Sequence, residues 1–88
     1  MEIDFDPPKS EKNLEERGFG FDFAALVFEG ETIERDVSRE EDGEDRTQAI
    51  GEVDGIVLSV VYTDRGDVRR IISARKASRK ERKLWDAR

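Results

Sequence analysis

The 88-residue chain contains no cysteine and no histidine. Without cysteine it can form neither a disulfide framework nor a thiolate metal site, and it has no cysteine nucleophile, which fits a cytoplasmic protein. Without histidine it lacks the side chain that exchanges protons most readily near pH 7. Any acid–base chemistry must therefore use Glu, Asp, Lys or Tyr.

Long apolar segments are also missing. The largely apolar run from Ile56 to Val61 is far shorter than the roughly 20 residues of a membrane-spanning helix, and the N-terminus lacks the basic-then-apolar order of a signal peptide. Hydrophobic residues make up 35% of the chain and charged residues 43%, so the core must be small. We expect one soluble domain over residues 1–88, whose stability a protein partner could increase.

Positive charge is scarce in the N-terminal half. Residues 1–48 contain 6 Lys and Arg against 16 Asp and Glu, a balance of -10, whereas residues 49–88 contain 10 against 6, a balance of +4. Although the net charge is -6, a segregated basic surface still attracts phosphate, because screening limits charge effects to roughly 8 to 10 Å. The C-terminal half is therefore the candidate nucleic-acid-binding part.

The predicted fold is α+β, with two N-terminal helices, a four-stranded antiparallel sheet and a C-terminal helix. A short strand at residues 3–5 precedes Asp6-Pro7-Pro8, which predicts the capped start of a first helix that ends at Gly18. The apolar spacing of residues 21, 24, 25 and 28 predicts a second helix over 21–28. Ser78 and Glu81 form a capping-box pattern for the last helix, which Leu84 and Trp85 should dock.

The four predicted strands of the sheet cover residues 32–38, 46–53, 56–63 and 68–74. Asp54-Gly55 is typical of a two-residue type I′ hairpin turn. The third strand has apolar residues at both alternating positions, which predicts that both of its faces are covered. The acidic run at 40–45 lacks the ligand spacing of a calcium loop and is interpreted as a solvated turn.

Several motifs occur in the order and spacing of BrnT-type toxins and span almost the whole chain. They are Asp6-Pro7, Lys9, Asn13, Gly18-Phe19, Glu44-x-Arg46, Ile50-Gly51, Val61-Tyr62-Thr63-x-Arg65, the run from Arg70 to Arg75, and Glu81. On these residues the chain resembles the BrnT family. The resemblance implies a RelE-like ribonuclease fold and RNA cleavage without metal or cofactor. It also implies a BrnA-type antitoxin with a ribbon-helix-helix part, through which the complex reaches DNA and represses its own operon.

One position departs from the family pattern. Where Lys-His-Gly is usual, this chain has Glu16-Arg17-Gly18, which keeps a cation but loses a proton-transfer group. Two hypotheses follow. The chain is either an active endoribonuclease toxin that inhibits translation, or a catalytically weak toxin-fold module that acts as antitoxin partner and co-repressor.

RNA cleavage without metal needs a base for the 2′-hydroxyl proton and cations for the charge that develops on the phosphate. Arginine suits the second role because its guanidinium stays charged and contacts two oxygens at once. The candidate catalytic residues are Glu44 as base with Arg46, Arg65 and Arg75, and the candidate RNA-binding residues are Lys9, Arg70 and Arg79. The structural alternative is that these arginines form ion pairs within an acid-rich protein.

Strand geometry gives two further expectations. Alternation places Arg70 and Arg75 on opposite faces unless a bulge intervenes. Arg65 and Arg75 are expected near adjacent strand ends, where they would converge on one phosphate. Seven basic residues lie in the segment from Arg75 to Arg88, and they form either a phosphate-binding patch or a solvated helix face. Trp85 is expected to pack in the core or under a partner rather than to stack on bases.

Overall fold

The computed structural model of the chain describes residues 1–88 and has the predicted α+β class. Its elements are β1 (Glu2–Phe5), α1 (Pro7–Arg17), α2 (Phe21–Ala24), β2 (Ile33–Asp36), β3 (Thr47–Val53), β4 (Ile56–Arg65), β5 (Val68–Lys76) and α3 (Arg79–Asp86). Two 3-10 helices, Ala25–Glu29 and Glu40–Asp42, complete the chain. No helix is both long and apolar enough to cross a membrane.

The sheet has five strands in the order β1-β5-β4-β3-β2. β1 pairs with β5 in parallel, and the other pairs are antiparallel. The prediction of a four-stranded antiparallel sheet was therefore wrong in strand number and in type. The short N-terminal strand was predicted, but its partner was not, because the pair Glu2 with Val68 joins distant parts of the chain and leaves no local pattern.

β4 lies at the centre of the sheet and is covered on both faces, as its apolar pattern predicted. Leu58 and Val60 face a cluster with the residues of α2 and its flanking segments. Val57 faces the other way and packs with Ile50 and Trp85 beneath α3. The sheet therefore has an α1–α2 side with the larger core and an α3 side with a small one.

The second helix is shorter than predicted, since it forms one α-helical turn and then tightens into a 3-10 helix at Ala25. Its buried residues are Phe21, Ala24 and Val27, whereas Phe28 is only partly buried. A spacing of three residues aligns side chains on one side of a 3-10 helix, which has three residues per turn. The i, i+3, i+4, i+7 pattern therefore predicted the position of this helix but not its form.

Most local signals at turns and helix ends were accurate, although Asp6 at the start of α1 makes no side-chain capping hydrogen bond. Asp54 and Gly55 have φ of 50° and 80°, as a type I′ turn requires, and Gly18 ends α1 at φ 85°. The Ser78 side chain accepts a hydrogen bond from the Glu81 backbone N–H, which completes the predicted capping box. The prediction that Leu84 helps to dock α3 was wrong, because its side chain is half exposed. Of the two residues predicted to dock this helix, only Trp85 is buried.

Candidate nucleic-acid interface

A bulge in β5 decides which side of the sheet its arginines occupy. Val61 pairs with Ser73 while Tyr62 pairs with Ile71, so β5 has one extra residue at Ile72. Cross-strand partners share a face, and Arg75 lies opposite Ser59 whereas Arg70 lies opposite Thr63. Positions 59 and 63 of β4 point the same way because strand side chains alternate. Both arginines therefore lie on the α3 side.

Other arginines join them on the α3 side of the sheet. Arg65 follows Thr63 by two positions in β4, and Arg35 of β2 lies opposite Gln48 of β3. Arg46 precedes β3 and shares an ion-pair partner with Arg65. We call this set the arginine face, and its members are Arg35, Arg46, Arg65, Arg70 and Arg75.

Glu44 lies between two members of the arginine face. Its carboxylate is 3.1 Å from Nη2 of Arg65 and 3.4 Å from Nε of Arg46. Arg46 is also 3.6 Å from Asp42. Its buried Nε makes no hydrogen bond, and it is the only buried side-chain nitrogen or oxygen atom in the chain that makes none. The Nε of Arg46 is thus close to the Glu44 carboxylate without the geometry of a hydrogen bond. Three of the four predicted catalytic residues are therefore brought together.

The fourth, Arg75, is held elsewhere by Glu81 of α3. Nη1 and Nη2 of Arg75 donate hydrogen bonds of 2.8 and 2.9 Å to the two carboxylate oxygens. Glu81 is buried and also accepts hydrogen bonds from the Ser78 backbone N–H and from Nε2 of Gln48, each at 2.8 Å. The hydrogen bonds from Arg75 are the largest reason why the pKa of Glu81 falls to about 2, and they outweigh the opposing effect of burial.

The expected convergence of Arg65 and Arg75 on one phosphate was wrong. Arg75 lies opposite Ser59, six positions before Arg65 in β4, which corresponds to roughly 20 Å along the strand. The prediction failed because β4 and β5 are antiparallel, so that the C-terminal ends of these two strands lie at opposite ends of the sheet.

The predicted RNA-binding residues are divided between the two sides of the sheet. Arg70 is on the arginine face and is 3.1 Å from Asp4 of β1. Arg79 is the exposed first residue of α3. Lys9 is exposed on α1. The buried side chains of α1 form hydrogen bonds with the backbone of Phe19 and Phe21, which belong to the larger core. Lys9 therefore lies on the side of the sheet opposite to α3.

Sequence reasoning missed Arg35. Its Nε donates a 2.6 Å hydrogen bond to Gln48, its Nη2 lies 3.8 Å from Glu81, and its side chain is 52% exposed. An arginine in an acidic strand is usually interpreted as a surface ion pair. The only sequence signal for Arg35 was its spacing from Ile33. The two residues are two positions apart in β2, so their side chains lie on the same side of the sheet.

Arg69 and Tyr62 form a separate group on the α1–α2 side of the sheet. The guanidinium of Arg69 lies 4.0 Å from the centre of the Tyr62 ring and is hydrogen-bonded to Asp64. The Tyr62 hydroxyl donates a hydrogen bond to Glu34. Burial, reinforced by that hydrogen bond, raises the pKa of Tyr62 to about 12. A phenol held in this way is a structural donor rather than a proton acceptor at neutral pH.

The acidic residues do not assemble a metal site, since no group of three or more Asp or Glu side chains is placed to hold an ion. The face nevertheless concentrates guanidinium groups on a protein of net charge -6. Each of its five guanidinium groups lies within 4 Å of a carboxylate, as the structural alternative of ion pairs in an acid-rich protein predicted. These five groups share only four carboxylates, those of Asp4, Asp42, Glu44 and Glu81.

The family model for the ribonuclease toxin BrnT of type II toxin–antitoxin systems matches residues 5–81. The chain belongs to this family of ribonuclease toxins. Comparison with curated proteins finds no match.

Proposed function

We propose that the chain is an endoribonuclease toxin with a RelE-like fold that cleaves RNA in the cytoplasm without metal or cofactor and thereby inhibits translation. A BrnA-type antitoxin would neutralise it, and the complex would reach DNA only through that antitoxin. The observation that supports this proposal best is the carboxylate of Glu44 between the guanidinium groups of Arg46 and Arg65.

In the proposed reaction Glu44 accepts the proton of a ribose 2′-hydroxyl. The 2′-oxygen forms a bond to the adjacent phosphorus, the bond from phosphorus to the 5′-oxygen breaks, and the leaving oxygen takes a proton from solvent. Arg46 and Arg65 stabilise the negative charge that grows on the phosphate oxygens. The products are a 2′,3′-cyclic phosphate and a free 5′-hydroxyl, so atoms and charge balance without an oxidant or a metal.

The other predicted residues would position the RNA. Arg70, Arg75 and Arg79 lie along the α3 side and would contact backbone phosphates, which carry affinity rather than sequence preference. Lys9 would contact RNA only where the RNA strand extends around the protein to the α1–α2 side of the sheet. Arg75 therefore moves from the predicted catalytic group to a phosphate-binding role in this proposal.

A second candidate is a module that binds its antitoxin but turns over RNA weakly. One observation favours it: Nη1 of Arg17, at the position of the usual family histidine, is occupied by hydrogen bonds to the Ala74 carbonyl at 2.9 Å and the Asn13 side chain at 3.1 Å. Arg17 thus ties α1 to β5 instead of presenting a proton-transfer group.

Expression in bacteria separates the two candidates. An active toxin should stop growth when expressed alone, and co-expression of a short neighbouring gene for a ribbon-helix-helix protein should restore it. Unimpaired growth at verified high soluble expression would favour the binding module.

Cleavage of a defined RNA by the purified protein, with and without a chelator, tests the chemistry directly. Arg65→Ala should lower kcat/KM on the order of 10²- to 10³-fold while leaving the fold intact, because it removes a preorganised donor to the developing charge. Arg82→Ala, on the exposed side of α3, is the matched control and should cleave normally. Full activity of folded Arg65→Ala would contradict the assigned site, and loss of all cleavage with chelator would contradict the metal-free reaction.

A further inference from the structure

Arg35 and Arg75 come from strands that are three positions apart in the sheet order, yet both reach the carboxylate of Glu81. Arg75 contacts it through a two-point hydrogen bond, and Nη2 of Arg35 approaches one of its oxygens at 3.8 Å. α3 supplies this carboxylate above the middle of the sheet. Two guanidinium groups therefore flank one buried negative charge.

One carboxylate cannot neutralise two guanidinium groups, so this cluster keeps a positive charge. The hydrogen bonds of Glu81 are already satisfied by Arg75, Gln48 and the Ser78 backbone. Both arginines are half exposed, with 52% and 45% of their side chains accessible, although Glu81 itself is buried. The Nη1 group of Arg35 makes no hydrogen bond within the protein and is available to another anion.

A groove of about 550 Å³ opens beside this cluster, between β2 and α3. Its lining includes Arg35 of β2, the charged residues Lys80, Glu81 and Lys83 of α3, and the apolar residues Leu84 and Ala87. Neither lysine has an ion-pair partner in the structure. Because the only carboxylate lining the groove is already paired, its charge attracts anions rather than cations.

We propose that Arg35, with Arg75, forms a phosphate clamp for the RNA backbone beside the carboxylate of Glu81. Glu81 holds the guanidinium group of Arg75 through two hydrogen bonds, and Gln48 holds that of Arg35 through one, which reduces the side-chain entropy lost when a phosphodiester binds. Lys80 and Lys83 extend the path of the backbone along the groove. The proposal rests on the proposed ribonuclease function and adds a second contact region, distinct from the Glu44 cluster.

The test is binding of a 2′-O-methyl oligoribonucleotide, which lacks the nucleophile and cannot be cleaved, over a range of salt concentrations. Arg35→Gln should weaken binding about tenfold. It should also lower the slope of log K against log salt by about 0.7, the effect of one lost phosphate contact with a single strand. Arg35→Lys should keep the slope and lose part of the affinity, because lysine keeps the positive charge but lacks the planar guanidinium group that donates to two oxygens at once.

Arg82→Gln is the matched control, since Arg82 is an exposed arginine of α3 that does not line the groove, and this variant should bind as the wild type does. Wild-type affinity and slope in folded Arg35→Gln would overturn the clamp while leaving the ribonuclease proposal intact. Failure of the wild type to bind the oligonucleotide would overturn both. Loss of antitoxin binding by Arg35→Gln, with RNA binding unchanged, would overturn the clamp and identify the groove as a protein-docking surface.

Discussion

Arg75 and Glu81 form a two-point ion pair that ties the last strand to the last helix, with N–O distances of 2.8 and 2.9 Å. The same carboxylate completes the capping box of α3 through the Ser78 backbone N–H. One side chain thus sets the start of a helix, its attachment to the sheet and the orientation of an arginine.

Acid should weaken the fold through Glu81. Because its pKa is lowered to about 2 in the folded protein, its ionised form adds on the order of 3 kcal/mol of stability that is present above its unfolded pKa and is lost as pH falls from about 5 towards 2. Denaturant unfolding across this range should show a smaller pH dependence in Glu81→Gln than in the wild type. Glu11→Gln, at an exposed position of α1, is the control and should retain the wild-type dependence.

Gly51 should be intolerant of a side chain. A Cβ at this position would lie 3.0 Å from Cβ of Val27 and 3.3 Å from the Thr32 methyl group, so the 3-10 helix would have to move away from β3. We expect Gly51→Ala to lower the free energy of unfolding by about 1 to 3 kcal/mol. Gly30→Ala has open space around its Cβ and should be neutral or slightly stabilising. Equal stability of the two variants would contradict this packing.

Tyr62 is the single tyrosine of the chain, so its ionisation can be followed by ultraviolet absorbance without interference. The raised pKa predicts a midpoint near 12 in the folded protein and near 10 after unfolding in denaturant. The sign follows from linkage: the phenol stabilises the fold fully below its unfolded pKa, and this contribution is lost as pH rises through the folded pKa. A folded-state midpoint at the ordinary value would contradict the burial of this hydroxyl.

Trp85→Ala should destabilise the protein by ~3 to 5 kcal/mol, because it empties the small core between α3 and the sheet. The indole also donates a hydrogen bond to Glu52 at 3.1 Å. Thermal unfolding followed by circular dichroism measures the loss. Leu84→Ala changes a half-exposed neighbour and should cost far less. A stable Trp85→Ala variant with impaired RNA binding would instead make the indole a base-stacking residue.

Family membership and the local features could be predicted from the sequence. The type I′ turn at Asp54-Gly55 and the capping box of Ser78 and Glu81 depend on backbone dihedrals and hydrogen bonds within a few residues. Likewise, the two-sided burial of β4 follows from its own apolar pattern. In each case the residues that decide the conformation are adjacent in the chain, so the pattern carries the information.

The arrangement of the site was decided by tertiary structure. The side that Arg70 shares with Arg75 depends on one extra residue in β5, and a register shift is set by the packing of the whole sheet rather than by any local motif. The antiparallel course of β4 and β5 carries Arg65 away from Arg75. Arg35 reaches the same carboxylate as Arg75 only because α3 docks over the sheet. The sequence determined which charges are present, and long-range packing determined which of them meet.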